Sequence, residues 1–125
     1  MTSSLYFPIA GCGGTSRATA SLFDRRWLIV DDLGVWLDPK ACAKLADIQV
    51  DAHLGYLVMR AEGMLRLDIP LEVIEDDDSV RASATICNQQ VDVVDEGDLA
   101  ATWVSGFLGR PCRLMKVLGA ATPWR

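Results

Sequence analysis

One histidine, two tyrosines and an excess of acid over base give this chain of 125 residues few of the groups from which active sites are built. His53, the only histidine, stands between Ala52 and Leu54 with no serine or cysteine beside it to activate, so nucleophilic or general-base catalysis through it is not expected. No window approaches the roughly 20 consecutive apolar residues that a membrane-spanning helix needs. Met1-Thr2-Ser3-Ser4 offers no basic stretch, and Pro8 interrupts the short apolar run from Leu5 to Ala10, so no signal peptide is expected and the chain is assigned to the cytoplasm. Lysine and arginine total 12 against 17 aspartates and glutamates, for a net charge of −5. The basic residues are scattered, which excludes the clustered cationic face needed for nucleic acid and disfavours an anionic membrane.

Cys12, Cys42, Cys87 and Cys112 are far apart and show no zinc-site spacing. Without an export signal the expectation is reduced, buried thiols, and two long-range disulfides are the alternative that spacing leaves open. The acidic run Glu75-Asp76-Asp77-Asp78 lacks the alternating oxygen ligands and distal glutamate of a calcium loop, so it reads as a solvated tip and no metal is expected.

What is present is enough apolar sequence, 50% of positions, for one core. A single domain over residues 1–125 is expected, with its core in residues 4–118 and a frayed tail over 119–125. Strands are read at Leu5–Ile9, Arg17–Phe23, Trp27–Asp31, Val35–Leu37, Ile48–Ala52, Tyr56–Ala61, Met64–Ile69, Val80–Ile86, Gln90–Val94 and Cys112–Leu118, with the early ones forming an antiparallel meander. Leu65, Leu67 and Ile69 alternate with Arg66 and Asp68, as in a sheet with one wet face, and Pro70 is expected to break that ladder. Ala41–Ala46 holds one or two helical turns. One longer helix is predicted from Gly97-Asp98 to Leu108, where Leu99, Trp103 and Phe107 with Ala100, Val104 and Leu108 form an apolar stripe closed by Gly109 and Pro111. The fold class is therefore mainly β, a coiled mixed or antiparallel sheet or partial barrel with one packed C-terminal helix.

Two blocks stand out. The first is Phe23-Asp24-Arg25-Arg26-Trp27-Leu28-Ile29-Val30-Asp31 with Gly34; the second runs from Gly97-Asp98 through Trp103, Ser105 and Phe107-Leu108-Gly109-Arg110-Pro111-Cys112-Arg113-Leu114. Together with Tyr6-Phe7-Pro8-Ile9 they resemble the N-terminal β-barrel domain of MOSC-domain proteins over residues 4–118. In that family the domain precedes a larger MOSC domain, and two-domain members such as the mitochondrial amidoxime-reducing component bind molybdenum cofactor and reduce N-hydroxylated compounds. The resemblance implies a domain standing alone, since the metal's cysteine ligand belongs to the second domain and none of the four cysteines matches it. The positions of the family's Lys-Ser pair hold Ala10 and Gly11, and its Thr-x-Arg is replaced by Asp38-Pro39-Lys40. The corner arginine that meets the cofactor's anionic end in relatives is retained as Arg25. No cofactor is expected in isolation, and molybdenum cofactor enters through the resemblance alone.

Two residue sets are carried forward as candidate sites. Arg25 could grip a phosphate or carboxylate with its forked donors or clamp the turn beside Asp24. The Gly11-Cys12-Gly13-Gly14-Thr15-Ser16 corner could cradle an anion with the amides of Gly11, Gly13 and Gly14 or be a plain turn, since it lacks the lysine of a P-loop. Arg26 is expected in solvent or packed by its stem, and Trp27, Trp36, Trp103 and Phe107 in the core. No catalytic residue is assigned. The expected function is a non-catalytic binding or interaction module whose partner is a MOSC-type protein or a second copy. The alternative is a binder of a small anion such as a phosphate, carboxylate or pterin fragment through Arg25 and Gly11–Ser16, and a third reading is an enzyme subunit completed in trans.

Overall fold

The computed structural model describes residues 6–15, 25–38, 40, 42–70, 81–86 and 88–117. The expectations for Arg17–Phe23, the acidic run at 75–78, Cys87 and the tail at 119–125 lie outside them. Among the described residues the strands are β1 (Trp27–Asp31), β2 (Gln49–His53), β3 (Tyr56–Arg60), β4 (Leu67–Pro70), β5 (Arg81–Ile86), β6 (Gln89–Asp95) and β7 (Cys112–Val117). A 3-10 helix covers Ala43–Asp47 and the α-helix α1 covers Asp98–Leu108. The fold is mainly β, a curled half-barrel with one helix.

Two sheets carry it, one in the order β1-β7-β6-β5 and the other β2-β3-β4. Every named strand pair is antiparallel. Among the described residues parallel pairing is confined to the isolated bridges Ile9 to Trp27 and Val35 to Thr85. The first chain segment and the return from the Asp31–Gly34 turn thus touch the sheet at single bridges rather than as full strands, which corrects the expectation of early strands at Leu5–Ile9 and Val35–Leu37. The expected antiparallel return onto β1 is present as one bridge, Val30 to Trp36, with Asp31 N–H on the Val35 carbonyl at 2.9 Å and Leu37 N–H on the Ile29 carbonyl at 2.8 Å. The full strand partner of β1 is the distant β7, Trp27 opposite Lys116 through Asp31 opposite Cys112.

The run Trp-Leu-Ile-Val of β1 is buried on both faces, which is why it reads as continuous apolar sequence. Trp27 and Ile29 join a main core with the inner residues of β2, β3 and β4, with Leu114 of β7 and with α1. Leu28 and Val30 pack on the opposite side with Ala84, Ile86, Val91, Val93, Met115 and Val117, and Trp36 leans on this second cluster half-buried. Each fully buried side chain of this size contributes roughly 1.5–3 kcal/mol.

The helix begins and ends as read, with Gly109 at φ 72° closing it. Its stripe is rotated from the expected one. Ala100, Ala101, Trp103, Val104, Phe107 and Leu108 are buried whereas Leu99 is 75% exposed. At 100° per residue the buried set centres between Ala100 and Val104, which leaves Leu99 beyond its edge in the first turn. Leu65 is likewise exposed, at 87%, because β4 begins only at Leu67; its carbonyl instead accepts the Trp103 indole N–H at 2.6 Å. Pro70 closes β4, one residue beyond the expected Ile69. It is that strand's last residue, opposite Tyr56, on an edge strand where a missing N–H costs no ladder bond.

Candidate functional site

The corner and Arg25 meet around one short segment. Tyr6 and Thr15 exchange two backbone hydrogen bonds, at 2.8 and 2.9 Å, closing residues 6–15 into a loop. The loop is laced to β1, with Ala10 N–H on the Trp27 carbonyl at 2.9 Å and Trp27 N–H on the Pro8 carbonyl at 2.9 Å. Arg25 N–H donates to the Phe7 carbonyl at 2.7 Å, and Arg25 itself holds the left-handed conformation with φ 54° and an exposed side chain. Gly14 lies against the same Phe7. A Cβ there would stand 2.8 Å from its ring and 2.9 Å from the Tyr6 carbonyl. Phe7 is therefore the point at which the two predicted sets converge.

Three amides of the corner are bonded within the fold. Cys12 N–H donates to Ile9 O at 3.1 Å, Gly13 N–H to Ile48 O at 2.8 Å and Thr15 N–H to Tyr6 O at 2.9 Å. The Thr15 hydroxyl donates to Asp51 Oδ1 at 3.2 Å. Glycine is needed at position 13 because a Cβ would come within 2.9 Å of the Ile48 carbonyl, and at position 11 because φ is 95°. Ala10, at one position of the altered Lys-Ser pair, is buried and its carbonyl accepts the Trp36 indole N–H at 3.3 Å. At the altered Thr-x-Arg, the Asp38 carboxylate accepts Lys40 N–H at 2.7 Å in a local turn.

The free thiols are placed in apolar surroundings. Cys12 and Cys112 are buried and Cys42 is half-buried. Burial, with a smaller contribution from Cys42, pushes the Cys12 thiol up to about 12, and burial raises Cys112 against an opposing hydrogen bond from Ser105. Such thiols are poor nucleophiles. His53 is exposed at the β2–β3 hairpin, opposite Tyr56. Among the described residues no group of three or more His, Cys, Asp or Glu is arranged to hold a metal ion, and no helix is long and apolar enough to cross a membrane.

Sequence reasoning missed a charged cluster behind β1. Glu96 Oε2 accepts the Trp27 indole N–H at 2.6 Å, and the Lys116 ammonium lies 5.5 Å from the centre of the Trp27 ring. Lys116 is only 6% exposed. Burial raises the Glu96 carboxyl above its ordinary value, opposed by the Trp27 hydrogen bond and by Lys116. Next to it Arg113 bonds Asp95 Oδ2 at 2.5 Å and Asp98 Oδ1 at 2.8 Å, tying β7 to the end of β6 and the first turn of α1. The signal was the parity of β7, which puts Lys116 on the face of Cys112 and Leu114. Its partner across the sheet comes from a strand far away in sequence.

Against known proteins, the model of the MOSC N-terminal beta barrel domain matches residues 2–111. Molybdenum cofactor sulfurase of Homo sapiens is 36% identical over 97 residues, which is 76% of this chain and 11% of that protein. The Danio rerio molybdenum cofactor sulfurase is 30% identical over 93% of this chain and 15% of its own length. The chain thus spans a small fraction of these relatives. A Bordetella bronchiseptica protein of known solution structure is 51% identical with a TM-score of 0.85, covering 99% of this chain and 97% of that one.

Proposed function

Since the chain belongs to the MOSC N-terminal beta barrel domain family, we propose that it is a non-catalytic binding module that docks onto a protein handling molybdenum cofactor. The observation that carries this reading is that the Cys12, Gly13 and Thr15 amides donate to backbone carbonyls of the same chain, so that the corner serves as a fastening of the domain to itself. Two further facts support it. The residues that correspond to the family's Lys-Ser pair are a buried alanine and a glycine of positive φ, neither of which offers a side-chain donor. The sulfurase relatives carry this region as 11% and 15% of much longer proteins, where it accompanies other parts.

Mixing the purified chain with a molybdenum-cofactor protein that bears a MOSC domain, followed by size-exclusion chromatography with light scattering, tests the proposal. A stoichiometric complex is expected, and two separate species at micromolar concentrations would overturn it. The competing reading, an anion held by Arg25 and the Gly11–Ser16 corner, predicts saturable amide shifts with inorganic phosphate that vanish in Arg25→Ala. The docking reading predicts no saturation in either protein.

A further inference from the structure

The outer edge of β5 offers backbone groups that are not bonded. Thr85 N–H donates to the Gly34 carbonyl and the Thr85 carbonyl accepts Trp36 N–H, both at 2.9 Å, so the backbone of Thr85 points away from β6. In an antiparallel pair the outward direction recurs at every second residue. Ser83 and Arg81 therefore also turn their N–H and C=O outward, while Ile86, Ala84 and Ala82 face β6. β5 is the last strand of its sheet, and among the described residues Ser83 has no partner beyond β6. The isolated bridge from Val35 to Thr85 shows that this edge takes a pair of backbone hydrogen bonds from a neighbouring segment, and it stops one step short of Ser83.

Beside Ser83 lies a groove of about 940 Å³ between the Asp31–Gly34 turn, β5 and α1. Its walls are low where a partner's backbone must come close, with Gly34 on one side and Ala101 and Gly106 of α1 on the other. Its charge is one-sided. Among the described residues Asp31, Asp32 and Asp98 line it against a single cation, Arg113, which Asp95 and Asp98 already hold. Asp31 is occupied by the amides of Leu33 and Val35, whereas Asp32 has no hydrogen bond or ion pair among the described residues.

We propose that the β5 edge and this acidic groove dock an extended, basic segment of a partner protein, which pairs with the outward N–H and C=O of Ser83 and sets lysine or arginine side chains against Asp32 and Asp98. The inference rests on the binding-module reading and names the surface and the chemistry of what it takes. Main-chain pairing supplies affinity and the carboxylates select charge. The bridge already made at Thr85 fixes the line along which the segment lies.

The test is an amide NMR titration of the full chain with a decapeptide alternating lysine and valine. Saturable shifts at Ser83, Gly34 and Asp32 are expected, fading as salt is raised. Ser83→Pro removes the outward N–H without breaking a bond to β6 and should weaken binding about tenfold. Asp32→Lys, an exposed change that spares the edge, should weaken it about threefold. Equal binding of a glutamate–valine peptide, shifts that map elsewhere, or none at millimolar peptide would overturn the proposal. A dimer of the chain alone that Ser83→Pro dissolves would also overturn it, by assigning the edge to a second copy. If the complex with a MOSC-domain protein forms but ignores both substitutions, the docking surface is wrong while the binding-module reading stands. If the peptide binds as described and no such complex forms, the reverse holds.

Discussion

The glycine corner and the β5 edge both bring backbone amides close to a turn, yet they use them in opposite ways. At the corner the N–H groups of Cys12, Gly13 and Thr15 end on carbonyls of the same chain, and the glycines are there because Ile48 and Phe7 stand too near for a side chain. At β5 the backbone of Ser83 faces a groove. The run of glycines reads in sequence as an anion cradle or a plain turn, and at Gly13 and Gly14 the neighbouring atoms leave no room for a Cβ. An unremarkable Ala-Ser-Ala in β5 carries the open edge, because openness at that place follows from being the last strand of a sheet.

The largest effect that sharpens this contrast belongs to the corner. Gly13→Ala places a Cβ 2.9 Å from a backbone carbonyl that cannot rotate away, so a loss of about 1–3 kcal/mol is expected in urea unfolding. A neutral outcome would mean that the corner is looser than its hydrogen bonds imply.

The Trp27 that the corner leans on gives the next effect, through Glu96. Burial, the dominant cause, raises the folded-state carboxyl above its ordinary value of 4.5. The folded protein then holds that proton more tightly than the unfolded chain. The resulting contribution to stability is complete below the unfolded value and is lost as pH rises through the raised folded one. Carbon-13 NMR of the Glu96 carboxyl should give a midpoint above 4.5, and Glu96→Gln should remove this component of the pH dependence of unfolding. A midpoint at or below the ordinary value would contradict the burial assigned to it.

Arg25 separates the two readings of the corner at smaller scale. Its φ of 54° is a conformation that glycine adopts freely, so Arg25→Gly is expected to stabilise by up to about 1 kcal/mol. A loss of more than that would show that the arginine side chain clamps the turn. The smallest effect is expected at the edge, where Ser83→Pro should change stability by no more than about 0.5 kcal/mol despite abolishing an amide, because that amide holds nothing within the fold.

The sequence made local structure readable wherever one periodicity dominated. β1, the β2–β3 hairpin, β6 and α1 fall within a residue or two of their expected bounds. Leu99 and Leu65 were misplaced because each lies one step beyond the end of a regular pattern, where the period continues in the letters and the buried face does not. The pairing of β1 with β7 was out of reach, since it joins Trp27 to Lys116 across most of the chain and no local signal encodes it. The same is true of the groups that pairing assembles. Glu96 looked like one acid among several before a helix, and only the register of β7 sets it and Lys116 beside the Trp27 indole. Family motifs fared differently, because Arg25, Trp27 and the Gly109-Arg110-Pro111 helix exit are fixed by spacing within short blocks.

Native-state hydrogen exchange, read at Gly13 and Ser83 in one sample and repeated after addition of a MOSC-domain partner, tests most directly the claim that the corner fastens the domain and the β5 edge docks. The amide of Gly13 should be protected in both states, whereas that of Ser83 should exchange freely alone and slow in the complex. A freely exchanging Gly13, or a Ser83 already protected in the isolated chain, would contradict it.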